Sequence, residues 1–178
     1  MSRTVFNLVV LAVIGTLLGA CGVTQTVSDA STSTARAIFY KQVTTLHLDF
    51  SGRAAINTDA TDMNALSVPT LVRVYQLRDG KAVEKASYAN LLSHDDRVLS
   101  ADLLDKRAVV VKPGEGAQLS VPLDKDARFV SVVALFRHPD NQVNTWRVTL
   151  AREELEPDLA RVIELGDNRL TLRPLARE

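Results

Sequence analysis

Cysteine occurs once in the 178 residues, at position 21. No intramolecular disulfide can hold such a chain together, so whatever folds must do so around a hydrophobic core. The residues before Cys21 are set apart from the rest. After Arg3 the stretch Val5 to Leu18 is almost wholly apolar, interrupted by Asn7, Gly15 and Thr16, and it closes on the small residues Gly19 and Ala20. A positive charge, a short apolar run and a small-residue close are the anatomy of a secretory signal peptide. The run is shorter than the about 20 apolar residues of a membrane-spanning helix, and no basic cluster follows it. Residues 1–20 are therefore expected to be removed.

An odd cysteine in an exported chain demands an explanation, and its position supplies one. Leu18-Gly19-Ala20-Cys21 resembles the lipobox of bacterial lipoproteins, in which a peptidase cuts just before a diacylated cysteine. On that reading Cys21 is the lipid-attachment residue and its thiol is consumed. One acyl chain anchors only marginally, at ~0.8 kcal/mol per buried methylene, whereas two or more anchor stably. Gly22 rather than Asp follows the cysteine, which resembles lipoproteins sorted to the outer membrane and facing the periplasm.

The mature chain is long enough for one domain with a full core and too short for two comfortable ones. Lys plus Arg number 21 against 21 Asp plus Glu, with no basic block, so nucleic-acid binding by electrostatics is disfavoured. Residues 21–42 are expected to be the lipidated cysteine and a flexible tether, since Gly22 to Thr34 is rich in Ser and Thr without apolar periodicity and cannot bury enough surface to fold. Residues 43–178 are expected to be the folded domain.

Within it Leu46, Leu48 and Phe50 alternate with Thr45, His47 and Asp49, the period-two pattern of a half-buried strand. A second strand, Leu71 to Leu77, follows Pro69, which lacks an amide proton and suits a pre-strand position. Arg53 to Pro69 between them is long for a connection. Ser87 caps a short helix bearing Tyr88, Leu91 and Leu92, and Ser100 to Leu104 is expected to repeat the device for one turn. Pro113-Gly114-Glu115-Gly116 is expected to be a hairpin turn joining strands at Val109 to Val111 and Leu119 to Val121. Phe129 to Phe136, the most apolar run of the mature chain, reads as the central strand, and Val143 to Leu150 returns beside it, with Trp146 as a packing residue. A helical turn ended by Pro157 and a closing hairpin, Arg161 to Leu165 with Arg169 to Leu172, complete the chain. About eight short strands with turn signals between them predict an all-β, antiparallel two-sheet β-sandwich with short added helices.

No catalytic or metal motif emerges. The three histidines are far apart, no G-x-S-x-G occurs, and Asp95 and Asp96 sit side by side in what reads as a solvated loop. The chain is therefore expected to be no enzyme, to need no cofactor beyond the covalent lipid on Cys21, and to take no small-molecule substrate. An alternative is a lipid-anchored periplasmic carrier of a small apolar ligand, which would need a hollow sandwich, whereas the valine-dense central strand predicts a filled one.

Several of these pieces, in this order behind a lipobox, resemble the TssJ (SciN-type) lipoproteins of the bacterial type VI secretion system. They are Leu46-His47-Leu48-Asp49-Phe50, Val72-Arg73-Val74-Tyr75-Gln76-Leu77, Tyr88 with Leu91, Ala101-Asp102-Leu103-Leu104, Lys112-Pro113-Gly114-Glu115, Val132 to Arg137, and Trp146-Arg147. The resemblance implies a transthyretin-like sandwich of two four-stranded sheets. It also implies an outer-membrane lipoprotein facing the periplasm, which binds the periplasmic part of the inner-membrane protein TssM, with TssL in the same complex. The family's contact loop maps onto Arg53 to Pro69. Within it Ile56 and Met63 are expected to be apolar anchors, with Asn57, Asp59, Asp62 and Asn64 as a polar rim.

Overall fold

A computed structural model describes residues 43–59 and 66–175. Eight strands form two four-stranded sheets. They are β1 (Thr45–Gly52), β2 (Thr70–Leu77), β3 (Leu103–Val111), β4 (Gly116–Pro122), β5 (Phe129–Ala134), β6 (Arg147–Ala151), β7 (Arg161–Gly166) and β8 (Arg169–Leu172). One sheet has the order β4-β1-β7-β8, the other β3-β2-β5-β6. Every pairing is antiparallel except β1 with β7, which is parallel.

Period-two alternation fills the space between the sheets. Leu46, Leu48 and Phe50 of β1 and Ile163 and Leu165 of β7 are buried, as are Val72 and Val74 of β2, Val130 and Val132 of β5, and Leu150 of β6. This is the filled interior expected from the central strand, which lies between β2 and β6. Gln76 is the polar exception. It is buried, but its amide donates to the Pro122 carbonyl at 2.9 Å and accepts from the Asp124 amide at 2.7 Å, so both ends of the group are satisfied.

Two helices, α1 (Lys81–Lys85) and α2 (Tyr88–Val98), cover the other face of the second sheet. Ser87 caps α2, its hydroxyl accepting from the Asn90 amide at 3.3 Å. Burial pushes the Asp95 carboxyl up, yet the Tyr75 hydroxyl, Lys106 and Arg73 outweigh it and hold the group below its usual value. The contacts are at 2.8, 3.3 and 3.1 Å respectively. Asp95 is thus a buried helix residue that fastens α2 to β2 and β3, rather than one of two solvated loop carboxylates. Arg147 does the same for α1. Its guanidinium lies over Trp146 and donates to the carbonyls of Val83, Glu84 and Ala86, the open C-terminal end of that helix.

Two local expectations are corrected. Leu103 and Leu104 begin β3 and are not a helical turn; the strand can start there because the Arg78 amide bonds back to the Asp102 carbonyl. The Pro113-Gly114 turn is no hairpin, since β3 and β4 belong to different sheets. It is a corner between layers, closed by the Glu115 amide on the Lys112 carbonyl at 3.1 Å with Gly114 at φ 73°. The Asp167-Asn168 turn, both residues at positive φ, is the hairpin expected between β7 and β8.

Candidate functional site

The β1–β2 connection leaves one sheet at Gly52 and enters the other at Thr70. Its first limb is built into the domain by a chain of hydrogen bonds. The Arg53 amide donates to the Leu165 carbonyl at 2.8 Å, and the Asp167 amide to the Ala55 carbonyl at 2.8 Å. Thr58 and Asn168 exchange two bonds, backbone amide to side-chain oxygen and side-chain amide to backbone carbonyl, each at 2.9 Å.

Asn57 is the hinge of this limb. It sits at φ 50°, a left-handed conformation that asparagine tolerates better than most residues. Its side-chain oxygen accepts from the Arg137 amide at 2.6 Å, and its amide reaches the Pro69 carbonyl at 3.4 Å. One buried side chain therefore ties the outgoing limb, the returning limb and the β5–β6 loop together. Asp59 continues the seam, with His138 Nε2 at 2.9 Å and an Arg137 guanidinium nitrogen at 3.3 Å.

These positions revise the expected division of labour. Ile56 is fully buried, so it anchors the loop to the core and presents no surface to a partner. Asn57 is buried too and serves the loop's own geometry. Asp59 is partly exposed, but it is engaged by the β5–β6 loop. Asp62, Met63, Asn64 and Cys21 lie outside the described residues. The staple partners Arg137, His138 and Asn168 carried no signal in the sequence beyond their place in turns, because their role depends on contacts 78 to 110 residues away in the chain.

Around the loop base stand the β3–β4 corner, the β5–β6 loop and the β7–β8 turn, all at one end of the sandwich. The β5–β6 loop is held by Asp140, whose carboxylate accepts from the Gln142 and Val143 amides at 2.9 and 3.0 Å. The Val143 and Gln142 amides hold that carboxyl below its usual value. A cleft of about 390 Å³ opens between this loop and the β7–β8 turn, lined by His138, Pro139, Val143, Asp167 and Arg169 among others. Beside it Glu164 is paired with Arg173 and Arg53, which hold its carboxyl low in that order of strength.

The chain enters the domain at the opposite end. Val43 is buried, and its carbonyl accepts from the Arg152 guanidinium at 2.7 Å. The same guanidinium donates to the carbonyls of Asp124, Lys125 and Ala127. Among the described residues no group of His, Cys, Asp or Glu is arranged to hold a metal ion, and no helix is long and apolar enough to cross a membrane.

Comparison with known proteins agrees with this architecture. Residues 44–171 match the profile of the family described as type VI secretion lipoprotein, with VasD, EvfM and TssJ among its names. No curated protein matches significantly. A chain of a solved structure described as a type VI membrane complex is 42% identical, at TM-score 0.70, over 74% of this chain and 99% of its own. A chain from a structure described as the T6SS protein TssM C-terminal domain from EAEC is 40% identical, at TM-score 0.66, over 75% and 100%. Serratia marcescens Lip, described as a membrane-bound component of the type VI secretion system, shares the fold at 24% identity and TM-score 0.65, over 75% and 99%.

Proposed function

The chain belongs to the type VI secretion lipoprotein family, and from that premise we propose that it is held in the outer membrane by lipid on Cys21, faces the periplasm, and grips the C-terminal periplasmic domain of a TssM-like inner-membrane protein, with TssL in the same complex. The observation that carries this reading is the 40% identity to a full chain from a structure described as the TssM C-terminal domain. The geometry supports it. Val43, where the chain from Cys21 arrives, and Gly52, where the contact loop leaves, sit at opposite ends of β1, about 30 Å apart at ~3.4 Å per strand residue. The domain can therefore be tied at one end and occupied at the other. The role is structural rather than catalytic, and the filled interior leaves little place for the apolar cargo of a carrier.

The contact is placed in the central part of the loop, residues 60–65, with Met63 as the apolar anchor and Asp62 and Asn64 beside it. We place it beyond Asn57 to Asp59 because these residues build the loop's base. The test replaces Ala60 to Ala65 with a short Gly-Ser link in the full detergent-solubilised chain and measures binding to the periplasmic domain of the TssM-like protein from the same cell. Binding is expected to be lost while the thermal melt of the domain stays within about 2 °C, under ~1 kcal/mol for a domain of this size. Retained binding would sink the assignment.

A further inference from the structure

A specific protein–protein interface takes about 800 Å² and roughly 20–30 residues from each partner. The segment assigned above to the TssM-like partner, residues 60–65, is far shorter than that. However fully it is buried, it cannot supply the footprint alone, so a partner that grips the loop must also rest on what surrounds the loop's base. That surface is the β3–β4 corner, the β5–β6 loop (residues 135–146) and the β7–β8 turn, which stand at the same end of the sandwich.

The three differ in what they offer. The corner consists of proline and glycine between Lys112 and Glu115, which pair with each other at 3.3 Å. The β7–β8 turn is polar, and its Asn168 is spent on Thr58. Only the β5–β6 loop holds a large apolar side chain in water. Val143 is 72% exposed, more than any other large apolar residue among the described ones.

A single exposed valine is ordinary, but this one is held out by a built loop. Besides the two amides on the Asp140 carboxylate, the Asn144 amide donates to the Asp140 carbonyl at 3.0 Å, with Asn144 at φ 57°, and the Leu170 amide donates to the Thr145 carbonyl at 2.7 Å. Arg137 and His138 fasten the same loop to Asn57 and Asp59 at the base of the contact loop. A side chain presented this rigidly needs little ordering on binding. The cleft of about 390 Å³ opens beside it, with Pro139 in its lining and the exposed Asp167 and Arg169, one charge of each sign, at its rim. An apolar centre inside a polar rim is the anatomy of an interface core.

We propose that the β5–β6 loop is the second contact of the TssM-like partner, whose periplasmic domain lodges an apolar side chain in this cleft against Val143 and Pro139. The inference rests on the proposed function and extends its contact from the loop centre across the end of the sandwich.

Binding of the full detergent-solubilised chain to the periplasmic domain of the TssM-like protein is measured for wild type, Val143→Asp, Val143→Ile and Leu159→Asp. Leu159, 57% exposed between β6 and β7, is the control for an added surface charge. Val143→Asp is expected to weaken binding about ten-fold or more, mostly through faster dissociation, while Val143→Ile and Leu159→Asp stay within about two-fold of wild type. Val143→Cys covers the case in which aspartate disturbs the loop: bound partner is expected to slow alkylation at position 143 about five-fold or more, read by mass spectrometry, and to leave position 159 of Leu159→Cys unchanged. Wild-type affinity in Val143→Asp, or equal alkylation at position 143 with and without partner, overturns this inference and leaves the assignment of residues 60–65 standing. An equal loss in Leu159→Asp marks a general charge effect and overturns it too. Failure of the wild-type chain to bind overturns the proposed function, and this inference with it.

Discussion

Asn57 offers the sharpest test of how the β1–β2 loop is presented. The residue is 3% exposed and left-handed, and it satisfies two backbone groups from different segments. Changing it to alanine leaves the Arg137 amide without its acceptor, at about 1–3 kcal/mol for a buried unmade bond. It also puts a residue with no local hydrogen bond into the left-handed region, at roughly 1 kcal/mol or a little more. The sum is about 3 kcal/mol, or on the order of 10 °C in melting temperature for a domain this size. Asn57→Gly loses the same bonds without the backbone penalty, so it should fall about 1 kcal/mol short of the alanine variant. Urea and thermal melts at neutral pH give the order wild type, glycine, alanine. Hydrogen exchange at the Arg137 and Thr58 amides reports whether the loop base opens first. An alanine variant within about 0.5 kcal/mol of wild type, or unchanged protection at Arg137, would refute the claim that this side chain sets the loop.

Three further outcomes follow from the same contacts. Asp95 titrates below its unfolded value of about 3.9 because Tyr75, Lys106 and Arg73 outweigh its burial. Its contribution is therefore present above that pH and lost as pH falls through the folded value. The stability gap between wild type and Asp95→Asn should be widest at pH 6–7 and close below about pH 4, as measured by urea melts across that range. Arg152→Met removes the donor shared by four carbonyls, Val43 among them; the expected loss is about 3 kcal/mol or more, with limited proteolysis appearing first near residue 43. Cys21→Ser should abolish labelling by a lipid precursor and release the protein from membranes, and a processed mutant still copurifying with outer membranes would contradict the anchor.

The parts of this fold that were legible are those with a local cause. Alternation at Leu46-Leu48-Phe50 marked the strand and its inward face, because a period of two leaves only one face to bury. Ser87 announced α2 because capping is a contact of three residues' reach. The Pro113-Gly114 corner misled because turn chemistry fixes the bend and says nothing about whether the strands it joins pair with one another or pass to different sheets. Five residues of α1 were invisible for a related reason: what closes their C-terminal end is Arg147, more than 60 residues away. The burial of Asn57 was hidden in the same manner. Polarity and loop position suggested a surface, while its side chain accepts from the Arg137 amide 80 residues away, a contact no window of sequence contains.

The load path through the molecule gives these contacts a common purpose. On the proposed function, force enters where the tether meets Val43 and leaves through the loop after Gly52, so both attachment points belong to the two ends of one strand. β1 is not an edge. It lies between β4, antiparallel over seven register pairs, and β7, parallel over five. A pull along its axis shears all of those hydrogen bonds together, whereas a pull across an edge strand would open them singly from one end. The two ends are reinforced where the strand stops: Arg152 and the Leu123 amide hold the Val43 and Thr44 carbonyls, and Glu115 and Leu165 take the Gly52 and Arg53 amides. Had the tether and the loop met at the same end of the sandwich, or on β6 or β8, the same number of bonds would have resisted far less. On the proposed function, the placement of the loop directly after β1 is therefore what would let a single small domain act as a link between two anchored partners.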